Sequence, residues 1–168
     1  MACTLSTMNE PGRDELIRRY REGAAVVEKA VSELRPKELD HRPADGGWTP
    51  REVLHHLADS EMTSAIRLRK LLAEPAPLIQ GYDEEEFARA LYYDARPIET
   101  SLAATRAARE STASLFDHLT EEDWNRSGTH SESGPYSVQT WLEIYARHAH
   151  DHAEQIRMAA DEARSGRG

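Results

Sequence analysis

Cysteine, excess positive charge and long apolar runs are all in short supply in this chain, and each shortage removes a class of protein. The single cysteine, Cys3, has no partner for an internal disulfide, so the fold is not a stapled one. No apolar stretch approaches the roughly 20 residues that a helix needs to span a bilayer. The opening residues, MACTLSTMNE, hold no basic cluster followed by an apolar run, so no secretory leader is readable there. Lys and Arg number 21 against 30 Asp and Glu, a net charge of −9. That balance argues against a phosphate backbone as a partner. The acidic run DEEE at 83–86 reads as an exposed helix start. The expectation is a cytoplasmic protein with neither membrane nor nucleic acid as a partner.

What is present suits an ordinary globular domain: 168 residues, 39% hydrophobic and 30% charged. One domain over 1–168 is expected, with 1–11 and 162–168 flexible. Four long segments carry a helical period. In 13–34 the stripe is Leu16, Tyr20, Ala24, Val27, Val31 and Leu34. A second helix starts at WTPREV, where Thr49 can cap, Pro50 suits the first helical position and Glu52 completes a capping box; EPAPL stops it after about Leu72. A third is expected over 97–119, with Ile98, Leu102, Thr105, Ala108, Leu115 and Leu119 on one side. The fourth opens near Ser137 and runs to about Ala160, with Val138, Trp141, Leu142, Tyr145, Ala149, Ile156 and Ala159 inward. A loop with a short helix at 83–90 joins the second to the third. NRSGTHSESGPYS, before the fourth, reads as a loop or small hairpin. The pattern predicts an all-α four-helix bundle with long crossover connections, whose topology need not be simple up-down-up-down.

The stretch RHAHDHAEQI, residues 147–156, concentrates the chemistry. On a helix only His148 and His152 share a side, and an i, i+4 spacing lets two imidazoles converge on one ion. His150 points elsewhere and is expected to be solvated. The pair is not the zincin motif, because Ala149 stands where that motif needs glutamate. Both rings fall at the edge of the apolar stripe, which suits a cavity mouth. A catalytic ion of this kind takes three protein ligands and keeps a position open. VLHHLADSE, 53–61, offers His55 and His56, and periodicity does not choose between them. His41, His118 and His130 are weaker candidates. Glu61 falls inside the stripe, either as a buried carboxylate near the site or as a tolerated charge.

GGWTPREVLHHLADSEMTSAIRLRKLLAE, LIQGYDEEEFARAL and IYARHAHDHAEQI, in this order and spacing over about 42–157, resemble the DinB/YfiT superfamily of metal-dependent enzymes. The YfiT-like branch, which includes bacillithiol S-transferase-like proteins, fits best. The resemblance implies a four-helix bundle, a homodimer, and a metal held by three histidines at one end. The first ligand precedes the Leu of a His-Leu-x-Asp pattern, here His56 with Leu57 and Asp59; the others come from a His-x-x-x-His, here His148 and His152. Glu61 and Gln155 stand where some members carry histidine, and neither position is a ligand in the resemblance.

The expected function is a metal-dependent enzyme acting on a small molecule. Its ion, zinc or nickel, would activate water (a hydrolase) or a low-molecular-weight thiol (an S-transferase). Asp59, Glu61 and Tyr145 are the candidate proton handlers or orienters. The competing reading is a non-catalytic protein whose ion merely ties helices together, which calls for a closed set of four ligands.

Overall fold

The start of the second helix shows how local chemistry sets an element here. In the computed structural model, which describes residues 12–166, α2 runs over Pro50–Ala73. Thr49 Oγ1 accepts from the Glu52 amide at 3.2 Å, and the Thr49 amide donates back to Glu52 Oε2 at 2.8 Å. This reciprocal box and Pro50 at the first helical position are those the sequence predicts.

The other long helices are α1 (Arg13–Ser32), α4 (Ile98–Ala113) and α6 (Val138–Ser165). Between α2 and α4 lie a two-residue strand β1 (Leu78–Ile79) and the short helix α3 (Glu84–Ala90), capped by Asp83. After α4 come a 3-10 turn at Phe116–His118 and a single helical turn, α5 (Glu121–Trp124). A hairpin of β2 (Ser127–His130) and β3 (Gly134–Ser137) leads into α6, whose first turn is capped by Ser137 Oγ accepting from the Thr140 amide at 3.0 Å. β1 pairs in parallel with β2, giving a small three-stranded sheet beside a mainly helical protein.

The four long helices form a bundle in which α1 packs on α6 and α4, and α2 packs on α4 and α6. The consecutive helices α1 and α2 therefore occupy opposite corners. That is not an up-down-up-down order, in which chain neighbours are spatial neighbours.

Three expectations need correction. The third helix ends at Ala113, not 119. Leu115 and Leu119 continue the apolar count, but from the two flanks of the 3-10 turn, where they pack partly buried on the core. The segment after 161 is helical through Ser165, and Arg164 Nη2 donates to Glu38 Oε2 at 2.9 Å and to the Glu33 carbonyl at 2.9 Å. His150 is half-buried rather than solvated, its Nε2 lying 3.0 Å from the Arg19 carbonyl on α1. Cys3 and residues 1–11 lie outside the described residues.

The apolar interior comes in two parts. One gathers Leu16, Tyr20, Leu68, Phe116, Trp141 and Leu142 with their neighbours. The other gathers Val27, Leu54, Leu57, Ala149, Ala153 and Ile156. On every long helix a polar or glycine position falls between the two: Gly23 on α1, Glu61 on α2, Arg109 on α4 and His148 on α6. A polar layer thus crosses the middle of the bundle. Among the described residues no helix is long and apolar enough to cross a membrane.

Candidate metal centre

Helices α2 and α6 are packed neighbours, and this contact brings together three imidazoles that start 92 residues apart in sequence. His56 Nε2 lies 3.3 Å from His148 Nε2, and His148 Nε2 lies 3.2 Å from His152 Nε2. His148 and His152 sit one above the other because α6 is helical through both. His56 is buried, while the other two are half-buried, so the cluster sits at the edge of the core.

The donor set fits a metal ion. Two nitrogens held about 2.05 Å from a common zinc-like ion at the tetrahedral angle stand about 3.3 Å apart. The two closest separations here match that value. Three bare imidazole nitrogens facing one another repel, and a cation among them converts the repulsion into bonds. The outward ring nitrogens agree with this orientation. His152 Nδ1 donates to Gln155 Oε1 at 2.8 Å, which leaves its Nε2 lone pair aimed at the cluster. His148 Nδ1 is buried without a hydrogen-bond partner, and its nearest carboxylate oxygen, Glu61 Oε1, is 3.6 Å away.

Burial, then the neighbouring His152 and His148, lowers His56 to about 3. Burial, then His148, lowers His152 to about 4, although Gln155 opposes the shift. Both rings are therefore neutral at pH 7, the form that binds metal. Trp48 packs its ring against His56 at a centroid distance of 4.9 Å.

The adjacent His55 has both ring nitrogens occupied elsewhere: Nδ1 lies 2.7 Å from Ser101 Oγ and Nε2 lies 3.0 Å from the Arg96 carbonyl. It locks α2 to the start of α4 and has no nitrogen left for the cluster. His41 pairs with Glu162 at 3.3 Å, and His130 Nδ1 accepts from the Glu132 amide at 3.3 Å.

The other sequence candidates are placed as follows. Asp59 Oδ2 accepts from the Tyr93 hydroxyl at 2.7 Å and lies 3.6 Å from Arg96, so it holds the segment before α4. Glu61 is fully buried and ion-paired with Arg109. Tyr145 Oη accepts from Arg67 Nη1 at 3.0 Å, and burial raises the pKa of its phenol. Arg109, Arg67, Tyr93 and Trp48 escape a histidine-led reading. Trp48 directly before the Thr49 cap, five residues before the core residue Val53, is the one that local sequence signals could have flagged.

Two hollows flank the cluster. A cavity of about 200 Å³ is lined by Ser60, Arg67, Tyr82, Tyr145 and His148 among others. A larger cleft of about 640 Å³ has Trp48, Arg42, Tyr92 and Gln155 in its wall but none of the three imidazoles. Of the two, the smaller hollow is the one walled by a clustered imidazole, that of His148.

Known proteins resemble this chain in sequence and in fold. A protein of Oceanobacillus iheyensis, provisionally named a metal-dependent hydrolase, is 37% identical over 143 residues, covering 85% of this chain and 83% of its own. A Bacillus cereus protein with the same provisional name is 34% identical, covering 76% of this chain and 73% of its own. Among solved structures, YfiT from Bacillus subtilis, described as a probable metal-dependent hydrolase with an unusual four-helix bundle topology, superposes with a TM-score of 0.84 at 29% identity; 98% of this chain and 94% of that one are covered. A mycothiol-dependent maleylpyruvate isomerase shares the fold, with a TM-score of 0.71 at 12% identity over 90% of this chain and 63% of that one. The superfamily model matches residues 19–156, a span that holds all three clustered histidines. By its fold, by that match and by its relatives, the chain belongs to the DinB superfamily.

Proposed function

We propose that the protein is a metal-dependent enzyme for a small-molecule substrate, with His56, His148 and His152 as the ligands of one divalent ion, zinc or nickel. The observation that carries this reading is the 3.2 and 3.3 Å spacing of the Nε2 atoms. When bound, an ion with three imidazole ligands and open positions lowers the pKa of a water or thiol toward neutrality.

The protein's own residues supply the rest. Tyr145 and Arg67 wall the cavity that His148 faces. Because burial keeps the Tyr145 phenol protonated at neutral pH, it serves as a donor toward developing negative charge rather than as a base. Arg67, with no carboxylate partner among its hydrogen bonds to Tyr145 Oη and the Gln80 carbonyl, orients an anionic part of the substrate. Asp59 and Glu61 are engaged by Tyr93, Arg96 and Arg109, and act on the architecture rather than on the substrate.

The relatives' provisional names support water as the nucleophile, and the thiol dependence in the isomerase's name supports a low-molecular-weight thiol. The described residues include no cysteine, so on this reading a reacting sulfur comes with the substrate. The alternative, an ion that only ties α2 to α6, calls for a fourth protein ligand, whereas the described residues gather three. A single domain, a homodimer and cytoplasmic residence complete the reading.

Single His56→Ala, His148→Ala and His152→Ala variants, purified without a tag and assayed for bound metal, test the ligand set. Each is expected to lose most of its ion, and full occupancy in all three refutes the assignment. Consumption of glutathione, bacillithiol or mycothiol in the presence of a reactive electrophile by the metal-loaded protein would mark the S-transferase; no consumption of any of them leaves hydrolysis.

A further inference from the structure

The mid-bundle polar layer holds a pair that the proposed chemistry does not use. Arg109 on α4 is 1% exposed and Glu61 on α2 is 0% exposed. Arg109 Nη1 donates to Glu61 Oε1, and Ser64 Oγ lies 3.5 Å from the other carboxylate oxygen. The other two guanidinium nitrogens are also engaged. Nη2 donates to the Tyr20 carbonyl at 2.6 Å and the Tyr145 carbonyl at 3.2 Å, and Nε donates to the Tyr20 carbonyl at 3.2 Å. The Arg109 guanidinium carbon lies 4.0 Å from the centre of the Tyr20 ring. On α1, Gly23 makes the room: a Cβ built there would sit 2.5 Å from Arg109 Nη2.

Taking two charges out of water is costly, and well-packed apolar residues of similar volume often do as well or better in their place. Stability alone is therefore a weak account of this pair. Its orientation supplies a better one. The same Glu61 Oε1 that Arg109 holds lies 3.6 Å from His148 Nδ1, just past hydrogen-bond length, and that nitrogen is buried with no other partner. A neutral imidazole carries one proton. Beside a fixed carboxylate, the favoured place for it is Nδ1, which leaves Nε2 bare toward His56 and His152.

We infer that Arg109 and Glu61 are positioning residues: Arg109 fixes the Glu61 carboxylate, and Glu61 fixes the tautomer and ring orientation of His148. The pair then does for His148 what Gln155 does for His152. The inference rests on the reading of His148 as a ligand only for its effect on metal; the Glu61–His148 relation is a property of the metal-free protein as well.

The test uses the full-length protein with Glu61→Leu and Arg109→Met combined, so that neither charge is left buried alone. Nitrogen-15 NMR of the metal-free protein reads the tautomer of His148. The parent is expected to hold the proton on Nδ1, and the double variant to show a mixture or the other tautomer. In chelator competition the double variant is expected to bind zinc about 10- to 100-fold more weakly, the usual effect of losing an outer partner of a ligating histidine. An unchanged tautomer together with unchanged zinc affinity in a folded double variant overturns the inference. If the double variant does not fold, Glu61→Gln read by the same two measurements decides. A parent that binds no zinc defeats the proposed function instead, and the tautomer comparison still judges the pair.

Discussion

Gln155 and Gly23 are the residues whose replacement says most for the smallest change. Gln155→Leu removes the acceptor of the His152 Nδ1 proton without touching any of the three clustered histidines. Zinc affinity is expected to fall by about 10-fold or more, measured by chelator competition, with thermal stability nearly unchanged. Gly23→Ala places a methyl where Arg109 lies and displaces a buried guanidinium from its carbonyl and carboxylate partners. A loss of about 1–3 kcal/mol in denaturant unfolding is expected, the range for an overpacked interior. The clustered histidines also set a pH response. His56 and His152 are lowered to about 3 and about 4 in the fold, and burial lowers His55 too. The unfolded chain therefore binds these protons first. Their contribution to stability is full above about pH 6.5 and is lost as pH falls through 4 toward 3. Melting temperature of the metal-free protein across that window should fall more steeply for the parent than for a His56→Ala, His152→Ala double variant.

At the scale of the element, sequence signals were strong where the backbone itself needs particular residues. Thr49, Pro50 and Glu52 announce α2 because a helix start leaves amides to satisfy, and few residue types do so. Thr49→Ala is expected to cost roughly 1 kcal/mol, read from the thermal transition. The end of α4 was harder, since neither glycine nor proline marks Ala113 and the following leucines keep the helical count. The capping box of Thr120 with Asp123 was a usable sign that a new turn, α5, had begun. Strand β1 is two residues long and has no period to read; its place is set by the Ser131 amide donating to the Ile79 carbonyl at 2.9 Å. The site divides the same way. An i, i+4 repeat makes His148 and His152 legible, whereas choosing His56 over His55 needed the resemblance, because both are buried. Arg109 was invisible for a different reason. The buried side of α4 is Ser101, Thr105, Arg109 and Thr112, a polar stripe that a count of apolar residues passes over.

For the whole molecule, the four long helices follow from amphipathic periods joined by long crossings, while their order around the bundle needed the structure. Metal loading should act at this scale, because an ion that binds the folded state alone stabilises it by mass action, about 4 kcal/mol at a thousandfold excess over Kd. Zinc or nickel is expected to raise the melting temperature of tag-free protein and a chelator to lower it; a melting temperature indifferent to both would count against the ligand set. The split of the clustered histidines between α2 and α6 also has a consequence during synthesis. A ribosome must make nearly a hundred residues after His56 before its two companions exist. Until then the nascent chain lacks the full trio of nitrogens, so on the proposed ligand set loading waits for α6 to dock. If the proposed set holds an ion, the cell supplies it to an almost folded bundle, and metal choice is made by the mature pocket rather than by whatever cation the emerging chain meets first.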